Sequence, residues 1–401
     1  MLTLNKIGFI IHMPREIDFY FAVWKTLPVE KFDIIVDNYT AADQLDKILK
    51  ILIDMKLGHI YLSDIIKNKY KYKAVLATKD FQMRYRAYKP KGFNAKRDLS
   101  YRKILDYKTL LTRKLINLGL LEITKKILRK PNFGYRVYRE WNFVDPDILS
   151  DCRIMFPRGI DLDDHEPETC NEAYFTEFFC HGKFDEQIYK KAFGKSTTVI
   201  GYPRYDYHDA ELKHSKQNPK SVFGPVKVLW MGSMHASGLE LWLQTILTIS
   251  SITNFTYRPH PKSVKRDTEE ISYLQKQNVN VNLNESENLL NLFAEHDVVV
   301  AEWGDSIFSS IYNGKTTVLA EIPEYGDPPD RHGLYELVNS NIPVYSLLNS
   351  GTEQLIDQIK FWVDNPELIS NNETYIQLRR KLFGELDNEH NFSKIILSYL
   401  D

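Results

Sequence analysis

The sequence predicts an α/β protein made of two doubly wound, parallel-sheet halves, and three observations predict it. Buried-strand runs alternate with amphipathic helical stretches along the chain. A polar stretch carrying Pro and Gly, His208 to Pro225, divides the two series as a linker would. The length, 401 residues, is enough for two or three ordinary domains and a large core.

Taken in order, IGFIIH (Ile7 to His12) reads as a first buried strand, and DFYFAVWKTL after it as a helix. FDIIVDN (Phe32 to Asn38) is a second strand. AADQLDKILKILIDM sets Leu45, Ile48, Leu49 and Leu52 on one helical face. HIYLSDII fits strand and helix equally well, and YKAVLATKD is strand-like. From about Met83 to Lys130 bases dominate and acids are few; TLLTRKLINLGLLEITKKIL within it is an amphipathic helical stretch broken at Gly119. Residues 83–130 are therefore read as a helical basic insertion. A short strand from Cys152 runs into an acid-rich loop, and TTVIGYP is the last strand before the linker. Beyond it VKVLWMGS, FTYRPH, NVNVNL, DVVVAEW and TTVLAEI are strands. SGLELWLQTILTISSI, ENLLNLFAEH, SIFSSIYNGK, EQLIDQIKFWVD, TYIQLRRKLFGEL and FSKIILSYL are helices. The domains predicted are 1–208, with the insertion, and 209–385, followed by a helix within 386–401 that returns to the first.

Bulk properties exclude several classes. With 43% hydrophobic and 26% charged residues the chain is globular rather than disordered. Lys and Arg total 52 against 53 Asp and Glu, so no global charge argues for nucleic acid or membrane. The local basic insertion has two readings, a solvated helix face or a docking surface for anionic lipid. Cys152, Cys170 and Cys180 form neither a disulfide framework nor a zinc pattern, and read as reduced thiols of a cytosolic protein. No stretch of about 18 apolar residues spans a membrane, and the N-terminal run is read as a strand rather than a leader. Dinucleotide, P-loop, nucleophile-elbow and zinc-protease motifs are absent from the sequence, and no cofactor or metal is expected.

Ligands of open parallel sheets bind beyond the carboxyl ends of the strands, which singles out four loops. Arg258, His260, Pro261 and Lys262 bring charge and stiffness to one strand end and suit a phosphate; a stiff surface turn is the alternative. Glu302, Asp305 and Ser306 surround Gly304 at a strand–helix junction. There helix N–H groups meet an anion, Ser306 binds a phosphate oxygen or caps the helix, and Glu302 accepts from ribose hydroxyls. Gly232, Ser233 and His235 form a third junction; Gly232 admits close backbone approach, and His235 serves a phosphate or a proton. Asp161, Asp163 and Asp164 form an acidic loop that either supplies a base or nucleophile or is simply solvated.

Gly201-Tyr202-Pro203-Arg204-Tyr205-Asp206 resembles the interdomain GxPRxD element of bacterial teichoic acid glycerophosphotransferases, and CHGKFDEQIYKKAFG is similar to the segment preceding it. A strand at VKVLW, an R-x-HP strand end and a D-V-V-V strand before a Ser-containing helix start follow in family order, over roughly the second half of the chain. The resemblance implies a GT-B architecture: two Rossmann-like domains with a cleft between them, the first holding acceptor and catalytic groups, the second the donor nucleotide. An HP pair is also typical of sialyl- and Kdo-transferases, where it helps hold CMP, and carries onto His260 and Pro261.

Two departures shift the expected chemistry. Arg158-Gly159 stands where the glycerophosphotransferases have His-Gly, and Ala301-Glu302-Trp303-Gly304-Asp305-Ser306 where they have T-D-Y-S-S. Both fit better a relative that keeps the cytidine site and moves a sugar acid, similar to the retaining β-Kdo transferase domain of WbbB-type O-antigen enzymes. That family works through an Asp nucleophile, for which Asp161, Asp163 and Asp164 all remain open. The expected function is a CMP-Kdo-dependent glycosyltransferase acting on a lipid-linked or oligosaccharide acceptor of lipopolysaccharide synthesis. It would be cytoplasmic, peripheral at the inner face of the cytoplasmic membrane, with no nucleic-acid partner. The alternatives are a CDP-glycerol-type glycerophosphotransferase and a non-catalytic glycan-binding module.

Overall fold

The computed structural model describes residues 2–38, 40, 42–78, 149–157, 175–206, 224–232, 238–261, 263–284, 287, 289–302, 304–321, 342–347, 350–370, 373–384 and 392–401. The basic segment 83–130, the acidic loop 161–164 and positions 233, 235 and 262 lie outside them. The described residues fall into two compact units: those up to 206 together with 392–401, and those from 224 to 384.

The first unit runs β1 (Leu2–Ile11), α1 (Arg15–Trp24), β2 (Phe32–Val36), α2 (Ala42–Asp54), β3 (Ile60–Tyr61), α3 (Leu62–Asn68) and β4 (Tyr70–Thr78). It continues with β5 (Cys152–Phe156), β6 (Glu177–Cys180), α4 (Lys183–Phe193), β7 (Ser196–Val199) and α5 (Pro203–Asp206). The ambiguous HIYLSDII is both elements in succession, the two-residue strand β3 and then α3. The sheet order is β3-β2-β1-β4-β5-β6-β7, every pairing parallel.

Central strands of such a sheet are covered on both faces, and β1 shows why its sequence is uninterruptedly apolar. Ile10 faces a cluster with Ile65 and Ile66 of α3 and Tyr189 of α4. Phe9 and Ile11 face the opposite cluster, with Ile17, Tyr20 and Trp24 of α1 and Ile48 and Leu52 of α2. Gly8 lies where a Cβ would come within 2.6 Å of Ile35 Cδ1, so the strand pair closes over a bare backbone.

The second unit runs β8 (Lys227–Met231), α6 (Gly238–Ile252), β9 (Asn254–Arg258), α7 (Thr268–Lys276), β10 (Asn280–Val281), α8 (Leu289–Glu295) and β11 (Val298–Ala301). Then follow α9 (Asp305–Tyr312), β12 (Thr316–Glu321), β13 (Val344–Ser346), α10 (Gly351–Asp364), α11 (Glu367–Ser370) and α12 (Glu373–Phe383). Its order, β10-β9-β8-β11-β12-β13, repeats that of the first sheet, again wholly parallel. Both are the Rossmann order, in which the connection reverses direction between the first and fourth strands. Trp230, Trp242, Tyr257 and Trp362 fill the core between this sheet and α6, α7 and α10.

A last helix, α13 (Phe392–Leu397), belongs to the first unit. Phe392 meets Phe156 and Phe179 edge-on, with ring centroids 5.8 and 5.7 Å away. Such pairs contribute roughly 0.5–1.5 kcal/mol each beyond simple burial. The Tyr399 hydroxyl donates to Glu177 Oε2 at 2.6 Å and fixes the end of this segment. No helix among the described residues is long and apolar enough to cross a membrane.

Candidate functional site

In the second unit the order reverses between β8 and β11, so the crevice predicted by the fold opens beyond Met231 and Ala301. The strands stay paired one residue further. Gly232 N–H donates to the Arg258 carbonyl at 3.0 Å, and Glu302 N–H to the Met231 carbonyl at 3.2 Å. Gly232 and Glu302 are thereby fixed as neighbours on the crevice floor. The buried Glu302 side chain accepts from the Trp230 indole N–H through Oε1 at 3.3 Å. Trp230 is itself held against Trp242, centroids 5.3 Å apart. At Gly232 a Cβ would stand 2.7 Å from the Tyr257 hydroxyl oxygen.

The Arg258 guanidinium is committed to the loop after β10. Its NH1 donates to Asn282 Oδ1 at 3.2 Å and to the Asn284 carbonyl at 2.9 Å, with Glu287 Oε2 3.7 Å away. The group marked by sequence for a phosphate here braces a loop, and no local spacing reveals those partners. His260 opens a tight turn, its carbonyl accepting from Ser263 N–H at 2.8 Å and Oγ–H at 3.0 Å. Pro261 is exposed within it and His260 half-buried.

Helix α9 starts at Gly304, whose φ of 150° is open to glycine and strained for other residues. No side chain caps this end. Asp305 turns along the helix and accepts from Ser309 Oγ–H at 3.1 Å. Ser306 stands half-buried in the first turn. Ile307 N–H donates to the Gly304 carbonyl at 3.2 Å, and the helix dipole at this end favours negative charge. Among the described residues no group of three His, Cys, Asp or Glu could hold a metal ion.

The first unit has an equivalent set of strand ends that the sequence reading passed over. The buried Glu16 carboxylate accepts from His12 N–H, from Met13 N–H at 2.8 Å, and from the Thr78 hydroxyl. His12 Nδ1 lies 3.5 Å from Asp37 Oδ2, both residues buried. The signal was present, since His12 and Asp37 directly follow the runs GFII and DIIV.

The element carrying the family resemblance is folded into the first unit's core. Gly201 takes φ 69°. The His181 ring stacks on Tyr202 at 3.7 Å and its Nδ1 lies 2.8 Å from the Gly201 carbonyl. Arg204 lies over the rings of Phe19 and Tyr205. Asp185 caps α4, accepting from His181 N–H at 2.7 Å and Gly182 N–H at 2.8 Å. Cys152 and Cys180 are free, and burial raises both thiols, Cys152 to about 12, which makes them inert at neutral pH.

Buried titratable groups give the two units different responses to acid. Burial lowers His181 to about 4, so its contribution is lost as pH falls from about 6.5 towards 4. Burial raises Asp185 to about 7, so the folded state holds an extra proton below that pH, and stability is gained as pH falls from 7 towards the ordinary carboxylate range. The two effects oppose each other. Among the described residues of the second unit no raised carboxyl group offsets His296 in this way. Its Nδ1 lies 2.7 Å from the Leu292 carbonyl and its Nε2 3.0 Å from Thr256 Oγ1, and burial lowers it. Going from pH 7.5 to 5.5 is therefore expected to weaken the second unit more than the first. Hydrogen exchange resolved by unit checks this, and equal losses would contradict it.

The chain matches no protein-family model and no curated protein. Solved structures match it over nearly its full length. The wall teichoic acid polymerase TagF does so with a TM-score of 0.52 at 10% identity, covering 99% of this chain and 88% of that one. A TagF variant soaked with CDPG gives 0.50 at 9%, covering 99% and 88%. UDP-GlcNAc 2-epimerase from Neisseria meningitidis, bound to UDP-GlcNAc, gives 0.50 at 13%, covering 98% and 99%. The likeness is one of fold: this chain is an α/β protein of the GT-B class, with two Rossmann-like units.

Proposed function

We propose that the protein is a glycosyltransferase that takes a CMP-activated sugar acid, Kdo by preference, and extends a bacterial cell-surface polysaccharide such as lipopolysaccharide O-antigen. The observation that carries the reading is the second unit's crevice. Gly232 and Glu302 adjoin at its floor, and the first turn of α9 lacks a side-chain cap. That arrangement suits a nucleotide: ribose beside the carboxylate, phosphate at the helix N-terminus with Ser306, and His260 and Lys262 adding positive charge. CMP then leaves stabilised by helix dipole and bases, without a metal. One of Asp161, Asp163 and Asp164 acts as nucleophile with retention, and His235 moves a proton or holds the donor phosphate. The acceptor is lipid-linked or an oligosaccharide, and the basic 83–130 segment docks on the inner face of the cytoplasmic membrane. Anionic-liposome binding unchanged by charge reversal at Arg113, Lys114, Lys125 and Lys126 would refute that docking.

A donor screen with CMP-Kdo, CMP-sialic acid, CDP-glycerol and UDP-sugars, read as nucleotide release, tests the chemistry. His260→Ala is expected to weaken CMP binding about tenfold by calorimetry, near 1.4 kcal/mol; equal affinity in both proteins removes His260 from the phosphate site. A second reading, transfer of a polyol phosphate from a CDP donor, draws support from the fold likeness to TagF, one variant of which was soaked with CDPG. Turnover of CDP-glycerol without turnover of CMP-Kdo decides for it.

A further inference from the structure

Tyr257 sits inside β9, paired across from Trp230, and its ring is buried in the second unit's core. Its hydroxyl extends past that core to the end of β8 and lies against Gly232, where a Cβ would stand 2.7 Å from the oxygen. The hydroxyl has no hydrogen-bond partner among the described residues. It is therefore open to a hydrogen bond from an occupant of the crevice. Burial, then the carboxylates of Glu302 and Asp267, raise the phenol well above its ordinary range, against the pull of Arg266, so it stays a neutral O–H.

We infer that the Tyr257 hydroxyl is a binding group for the ribose of the nucleotide, acting alongside Glu302 on its vicinal hydroxyls. This rests on the nucleotide-donor reading given above. Charge decides between ribose and phosphate as its partner. The local carboxylates oppose an anionic phosphate, whereas hydroxyls can donate to a carboxylate and exchange hydrogen bonds with a phenol at no such cost. The phosphate belongs at the first turn of α9. Gly232 is the condition for the contact, because any side chain there would push the phenol aside.

Tyr257→Phe removes one oxygen and keeps the ring, so the core stays packed and the melting temperature holds or rises. Calorimetry on the full chain compares CMP with 2′,3′-dideoxy-CMP in wild type and Tyr257→Phe. The expected result is about a tenfold loss of CMP affinity in the variant and no difference between the two proteins for the dideoxy nucleotide. Gly232→Ala should reproduce that pattern. Equal CMP affinity in wild type and Tyr257→Phe overturns the assignment and leaves the nucleotide reading standing. Equal losses for both ligands overturn the ribose contact, as does a lowered melting temperature that accounts for the weaker binding. Failure of the wild type to bind CMP, CDP, UMP or UDP brings down the nucleotide reading, and this inference with it.

Discussion

Glu16→Ala is expected to destabilise the first unit by about 4 kcal/mol, a large share of what holds a domain of this size together. The carboxylate is fully buried at the start of α1 and takes hydrogen bonds from three donors: the N–H groups of His12 and Met13 and the hydroxyl of Thr78. It thereby ties the end of β1 to the end of β4, the two strands between which the sheet order reverses. Alanine leaves those donors in place without their acceptor, at about 1–3 kcal/mol each before relaxation. Glutamine keeps one acceptor oxygen but presents an NH₂ to the remaining donors, so it should fall between the two. Urea unfolding reads the result from the shift in midpoint. A loss below about 1 kcal/mol would mean that water replaces the carboxylate at little cost.

Gly351→Ala is the counterpart in the second unit, with an expected cost of roughly 3 kcal/mol or more. Gly351 is buried at the start of α10, after Ser350 in the left-handed conformation with φ 57°. An added Cβ would collide with the Ser346 carbonyl oxygen and stand 2.5 Å from Ser346 N. Those are backbone atoms at the end of β13, and no rotamer change can clear them. Gly8→Ala makes the contrast, because its closest obstacle is the tip of Ile35, a side chain that can turn. Differential scanning calorimetry should show a drop of roughly 6–12 °C for Gly351→Ala and a smaller one for Gly8→Ala. Equal drops would show that the helix start yields as readily as an isoleucine methyl.

How much of this was legible in sequence depended on the range of the interactions. IGFII, VKVLW and DVVVA could be read because central parallel strands are buried on both faces and carry an unbroken apolar signal. The two-residue β3 and three-residue β13 are too short to do so. Helix α7 buries only Ile271 and Leu274, and so has little helical periodicity to detect. At the candidate site, the strand-end rule pointed to Gly232, Arg258 and Glu302. It said nothing of where a side chain turns. Arg258 finds Asn282, Asn284 and Glu287 more than twenty residues on. Tyr257 was hidden for another reason: a tyrosine within a strand reads as core, which its ring is and its hydroxyl is not.

The placement of α13 bears on how the protein is made. Phe392, Ile396 and Leu400 complete a core begun by Phe9 and Ile17, so the first unit's core is shared between two chain segments that the whole second unit separates. Residues 224–384, which fold as the second unit, are synthesised in between. Until the ribosome has delivered residues 392–400, the rings of Phe156 and Phe179 lack the partner that covers them. At typical elongation rates that interval lasts roughly ten seconds or more. The unit that starts first therefore finishes last, and a nascent chain stalled near residue 385 should engage holding chaperones through that uncovered aromatic face.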